Sequence, residues 1–141
     1  MNNRSNFDPR FKLRPPAIEN DINNVEAMLG HSFPKSYRDF LMLSDGGEGF
    51  VGDEGYLSLW TIKTLLEHRR GYGFDKNLPN FIPIGSNGGS EAFVIKYSGN
   101  SANFGFIQFA DTNEIDFIDL HDDFRGALRI IGAGKAFGAN P

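Results

Sequence analysis

The chain has 141 residues, with 14 Lys and Arg against 18 Asp and Glu, and it contains no cysteine. A formal net charge of -4 argues against general nucleic-acid binding, which needs clustered bases to neutralise phosphates. The absence of cysteine excludes thiol catalysis, disulfides and cysteine-held zinc, and the length suits one domain with one core, which fourteen Phe would build largely from rings.

Residues 1 to 16 place Arg4, Arg10, Lys12 and Arg14 among polar neighbours and read as a polar leader arm. They hold no apolar run of the kind a signal peptide needs. No stretch reaches the ~20 apolar residues of a membrane span, so a soluble, cytoplasmic protein is expected. Ile18, Ile22, Val25 and Leu29 recur on one face of a helix, and Gly30 stops it. Pro34 opens a second helix with Tyr37, Phe40 and Leu41 on a shared face, ended by Gly46 or Gly47 as a left-handed cap.

A flexible acidic loop then runs from Asp45 to Gly55, with Glu48, Asp53 and Glu54 interleaved among glycines. No Lys or Arg occurs between Arg38 and Lys63. Tyr56 to Trp60 reads as a strand, and Thr61 caps a third helix carrying Ile62, Leu65 and Leu66. The stretch GYGFDKNLPN reads as a loop. From Phe81 the apolar period becomes two, with turns at SNGGS, SGNSAN and DTNE, and a last strand over Ile115 to Leu120. Asp122 or Asp123 starts a closing helix with Phe124, Leu128 and Ile131 on one face. The expected fold is α+β: a central, largely antiparallel sheet with two N-terminal helices, one inserted helix and a C-terminal helix packed against it. The expected boundaries are an arm at 1–16, one domain at 17–132 and a flexible tail at 133–141.

No motif assembles a catalytic site. GEGFVG, residues 47 to 52, fits the glycine pattern of dinucleotide loops, but a helix precedes it and Glu48, Asp53 and Glu54 would repel a phosphate. GAGK, residues 132 to 135, lacks the rest of a phosphate loop. The acids from Asp111 to Asp123 would need glycine where Asp116 stands to form a calcium loop. His121 beside Asp119 or Asp123 has no second histidine near it for a transition metal. GSNGGS is not a nucleophile elbow. A glycosidase-type carboxylate pair stays open, although no pair stands out. Most rings at these spacings suit a core, whereas Phe50, Tyr72 and Phe74 sit in glycine-rich loops where a ring can anchor a partner.

The run IENDINNVEAMLGHSFPKSYRDFLMLSDGG resembles the signature start of the SUKH superfamily, whose namesakes include yeast cell-wall assembly regulators. Leu29, Gly30, Phe33, Pro34, Tyr37, Phe40, Leu41, Gly46 and Gly47 carry the likeness. IPIGSNGGSEAFVI is similar to the family's strand–glycine turn–acid–strand element through Gly85, Gly88, Gly89 and Glu91, and Phe124 fits the closing helix. The sequence departs from the pattern at Asp45, usually Asn, at Asn87, often an acid, and in lacking an early Trp.

The resemblance implies an α+β fold without a common catalytic residue, and a protein that binds other proteins. Many bacterial members are immunity proteins that neutralise a toxin. The expected partner surface is Asp45, Glu48, Phe50, Asp53, Glu54, Glu91, Asp111, Glu114 and Asp116. Its expected partner is a basic, nuclease-like toxin domain. No cofactor or metal is expected, nor binding to nucleic acid or membrane, and the protein is expected as a monomer or homodimer. The alternatives are a regulatory or scaffolding module and a carboxylate-based enzyme.

Overall fold

Among the described residues, seven strands form one sheet in which each strand lies beside the next in sequence, all antiparallel. The computed structural model describes residues 7–110 and 113–136. In chain order the elements are β1 (Phe11–Leu13), α1 (Glu19–Leu29), α2 (Lys35–Leu43), β2 (Gly47–Val51), β3 (Gly55–Leu59), α3 (Ile62–Gly71) and α4 (Phe74–Asn77). Then follow β4 (Phe81–Ser86), β5 (Glu91–Ser98), β6 (Ser101–Gln108), a 3-10 turn (Glu114–Asp116), β7 (Ile118–His121) and α5 (Phe124–Gly132). The expected α+β class, the antiparallel sheet and the two helices near the N-terminus, the inserted helix and the C-terminal helix are all present; β1 precedes α1, and α4 is a further inserted helix.

The main core joins one sheet face to four helices. α1 contributes Ile22 and Val25, α2 Tyr37, Phe40 and Leu41, α3 Ile62 and Leu65, and α5 Phe124, Ala127, Leu128 and Ile131. Strand residues Leu57, Ile84, Phe93, Phe104 and Phe106 meet them. The Phe124 ring lies 4.9 Å from Phe40, 5.6 Å from Tyr37 and 5.6 Å from Phe104, so α2 and β6 converge on it. A smaller cluster fills the other face of β4–β6, where Phe74 and Leu78 cover Phe81, Ala92, Val94 and Ile107. The middle of the sheet is therefore buried on both sides. That explains why β5 reads Ala-Phe-Val-Ile, all buried, with no polar alternation.

Several expectations change. Phe7 and Phe11, within the segment read as a leader, are core residues, and β1 is the sheet's first strand. A three-residue strand is too short to show a period in sequence. Residues 47–51, read as part of a flexible loop, form β2. α2 ends on extended Ser44, not on a left-handed glycine. Phe74, read as an exposed loop ring, is 1% exposed because it starts α4. The last strand begins later than expected, since residues 114–116 wind into the 3-10 turn. Asp123 does cap α5, accepting a hydrogen bond from the Gly126 N–H at 2.9 Å.

The glycines of the β2–β3 hairpin are there for contact as well as for turning. A Cβ on Gly49 would lie 2.2 Å from the Arg10 carbonyl oxygen, at a φ of +143. Gly30, by contrast, turns at a φ of +76 with open space around it. Gly30→Ala should therefore lose only about 1 kcal/mol, the strain of the left-handed backbone alone. Gly49→Ala, with strain and a backbone clash together, should lose at least about 3 kcal/mol. Urea unfolding of the two variants checks the order, and equal losses would mean that β1 does not press on β2.

Candidate partner-binding surface

The acidic segment is a hairpin with two chemically different faces. In β2, Gly47, Gly49 and Val51 are buried while Glu48 and Phe50 are exposed. In β3, Gly55, Leu57 and Leu59 are buried, and Tyr56 and Ser58 stand opposite Phe50 and Glu48. Phe50 is 45% exposed, and its ring meets Tyr56 edge-on at 5.7 Å. A large ring left half in water beside a second ring is a natural contact anchor.

β1 alters the electrostatics of this face. Lys12 stands opposite Glu48 in the β1–β2 register. The Arg10 guanidinium lies 4.9 Å above the Phe50 ring. A stretch with no base in sequence thus has two beside it in space. Arg10 is firmly held: Asp8 accepts from its backbone N–H at 2.9 Å, its Nε at 3.0 Å and its Nη2 at 2.8 Å. Arg10 Nη2 also donates to the Gly52 carbonyl at 2.9 Å, which ties β1 to the hairpin tip. The hydrogen bonds from Arg10 hold the Asp8 carboxyl down at about 2.

The remaining predicted residues scatter. Asp45 is half-buried, and its Oδ1 accepts from the Ile62 N–H at 2.7 Å. It therefore caps α3, a task expected of Thr61, whose side chain makes no capping bond. Asp53 stands at the hairpin tip, 96% exposed and 3.9 Å from Arg10. Glu54 is exposed beside it, and its backbone N–H donates to the Gly132 carbonyl at 3.0 Å. Glu91 is half-buried and accepts from Asn87 Nδ2 at 2.7 Å, which braces the SNGGS turn. Glu114 and Asp116 are exposed in the 3-10 turn, with Glu114 3.7 Å from Lys96 on β5. Asp111 lies outside the described residues. β2 and β5 are three strand spacings apart, about 15 Å, which separates Glu48 and Phe50 from Glu114 beside Lys96. Among the described residues, the geometry brings together Glu48, Phe50, Asp53 and Glu54.

Two features escaped the sequence reading. Arg10 and Lys12 were assigned to the leader, and only the strand register places them beside the acids. A four-ring surface also forms where β3 meets α3. Trp60 stacks on His68 at 4.1 Å, and Tyr72 packs on Phe109 at 4.3 Å. Tyr72, expected to be exposed, is 46% exposed. His121 Nδ1 accepts from the Asp123 N–H at 2.9 Å. Among the described residues, no group of three His, Asp or Glu side chains gathers as metal ligands. No helix among them is long and apolar enough to cross a membrane.

Fold and surface together define an α+β domain built on a meandering sheet, with an open acid–aromatic hairpin face. The chain belongs to the SMI1 / KNR4 family (SUKH-1), whose family model matches residues 16–129. It is also similar to the uncharacterized protein YnaB of Bacillus subtilis (strain 168). The two are 26% identical over 119 residues, which cover 83% of this chain and 77% of that protein.

The scatter separates structural acids from presented ones. Asp45→Ala should lower stability by about 1 kcal/mol, the worth of a helix cap, as read by urea unfolding. Unchanged stability would contradict its capping role. The Asp8 carboxyl titrates at about 2 in the fold against an ordinary 3.8, so its ionised form stabilises the fold above that range. That contribution should be lost as pH falls from about 4 towards 2. Asp8→Asn should flatten the pH dependence of unfolding across this window, and an identical profile would show that the Arg10 clamp is absent in solution.

Proposed function

We propose that this domain is a binding protein of the immunity type, which neutralises a basic, nuclease-like toxin domain in the cytoplasm. The observation that carries the reading is the β2–β3 hairpin, which sets Glu48 and Phe50 on one exposed face with Asp53 and Glu54 at its tip. Membership of a family whose domains generally bind protein partners supports it. The acids would steer a basic partner and fix its register, and Phe50 with Tyr56 would supply the anchor that holds it. A hairpin already clamped by Arg10 and Asp8 has little ordering left to lose on binding, which favours affinity.

Co-expression with a toxin domain encoded beside this chain is the direct test. Protection of the cells and a stable complex are expected. A chain that neither protects nor binds would overturn the reading, and recovery of host assembly or signalling proteins alone would favour a regulatory module. Within a complex, reversing Glu48, Asp53 and Glu54 to Lys should slow association about tenfold at low salt with little effect at high salt. Phe50→Ala should instead speed dissociation, by about 2 kcal/mol of affinity. Unchanged rates in both variants would remove the hairpin from the interface.

A further inference from the structure

The reverse side of the same hairpin has the opposite chemistry. Where its tip meets α5, an open groove of about 590 Å³ is lined by Phe7, Val51 and Leu128 along its floor, with Arg125 and Arg129 on one wall. Arg125 and Arg129 are four residues apart on α5, so they share a face and repel each other. The ion pairs among the described residues involve Arg10, Lys35, Arg38, Lys96 and His121, and neither α5 arginine is within 4.0 Å of a carboxylate. The helix dipole favours one base in the last turn, which accounts for Arg129. It does not account for Arg125 a turn earlier, whose guanidinium lies 4.5 Å from the centre of the Phe7 ring.

The hydrogen-bond inventory of this groove is one-sided. The Gly52 carbonyl on its rim is taken by Arg10. The Gly132 carbonyl is taken by the Glu54 N–H. The Asp8 carboxylate is taken up by Arg10. Asp53, the other carboxylate on the lining, lies 3.9 Å from Arg10. What the groove offers is two guanidinium forks, each with five N–H donors matched to carboxylate geometry, above an apolar floor. A ligand that complements it must bring acceptors and apolar surface together.

We infer that this groove is a second docking surface, for an extended segment of a partner protein in which Asp or Glu neighbours a large apolar residue. The carboxylate spans Arg125 and Arg129, and the apolar side chain rests on Phe7, Val51 and Leu128. The assignment is independent of the toxin reading, because it calls for an acidic ligand where the outer hairpin face calls for a basic one.

The test is selection of a displayed library of random linear peptides on the full chain, followed by affinity measurement of the enriched peptides. Enriched sequences should share an acid beside a large apolar residue. Their affinity should fall about tenfold or more in Arg129→Glu, and also in Arg125→Ala, on loss of a charge-assisted hydrogen bond. Arg129 is exposed, so its replacement leaves folding intact, and circular dichroism verifies that. Arg125→Lys keeps the charge and the stem over Phe7 but loses the fork, so its affinity should fall between that of the unaltered chain and that of Arg125→Ala. Enrichment of basic peptides, of no peptides, or of peptides whose affinity ignores both arginines would overturn the inference. So would a self-associating chain that Arg129→Glu renders monomeric, which would give the groove to a second copy.

Discussion

The rest of the structure depends on how closely the β2–β3 hairpin approaches its neighbours. At Gly49 the backbone of β1 occupies the space a side chain would need, and at Gly52 the same is true of the end of α5, with Gly132 Cα 2.7 Å from a would-be Cβ. These contacts hold the hairpin against the edge strand on one side and the closing helix on the other. They also fix its register. A slip of one residue would turn Glu48 inwards and Val51 outwards, exchanging the two faces. The acid–aromatic face exists because the glycines prevent that slip.

The hairpin then carries charge of both signs in an ordered way. Glu48, Asp53 and Glu54 project from it, but Arg10 and Lys12 stand beside them through the β1 pairing. The face is therefore patterned rather than uniformly negative, which suits selection of a partner more than general attraction of cations. On the other side, α5 supplies Arg125 and Arg129 over the apolar floor formed with Phe7 and Val51. One rigid ribbon thus separates two surfaces of opposite preference. Both rest on the same ring cluster around Phe124, so any loss in that core would disturb both at once.

The sequence made the helices and the late strands legible because each bears a period long enough to count. α1, α2 and α5 show theirs in Ile22 and Val25, in Tyr37 and Phe40, and in Phe124, Leu128 and Ile131. β4 to β6 show theirs in the apolar runs broken by SNGGS and SGNSAN. β2 was illegible because two of its three inward positions, Gly47 and Gly49, are glycine and carry no hydrophobic signal, which leaves Val51 alone to mark the face. β1 was illegible because it is three residues long and its place depends on a pairing 38 residues away, Phe11 with Gly49. The capping role of Asp45 depends on a bond to Ile62, 17 residues on, which no local pattern encodes. The acids were legible as a group, but which of them are presented and which are structural is decided by tertiary contacts alone.

The central claim is that the segment from Gly47 to Leu59 is a rigid, register-locked hairpin. Native-state hydrogen exchange resolved to single amides tests it most directly. The account predicts that the paired amides of β2 exchange as slowly as those of β4 and β5, opening only with the sheet as a whole. Exchange at the rate of an open loop, with β4 and β5 still protected, would contradict it.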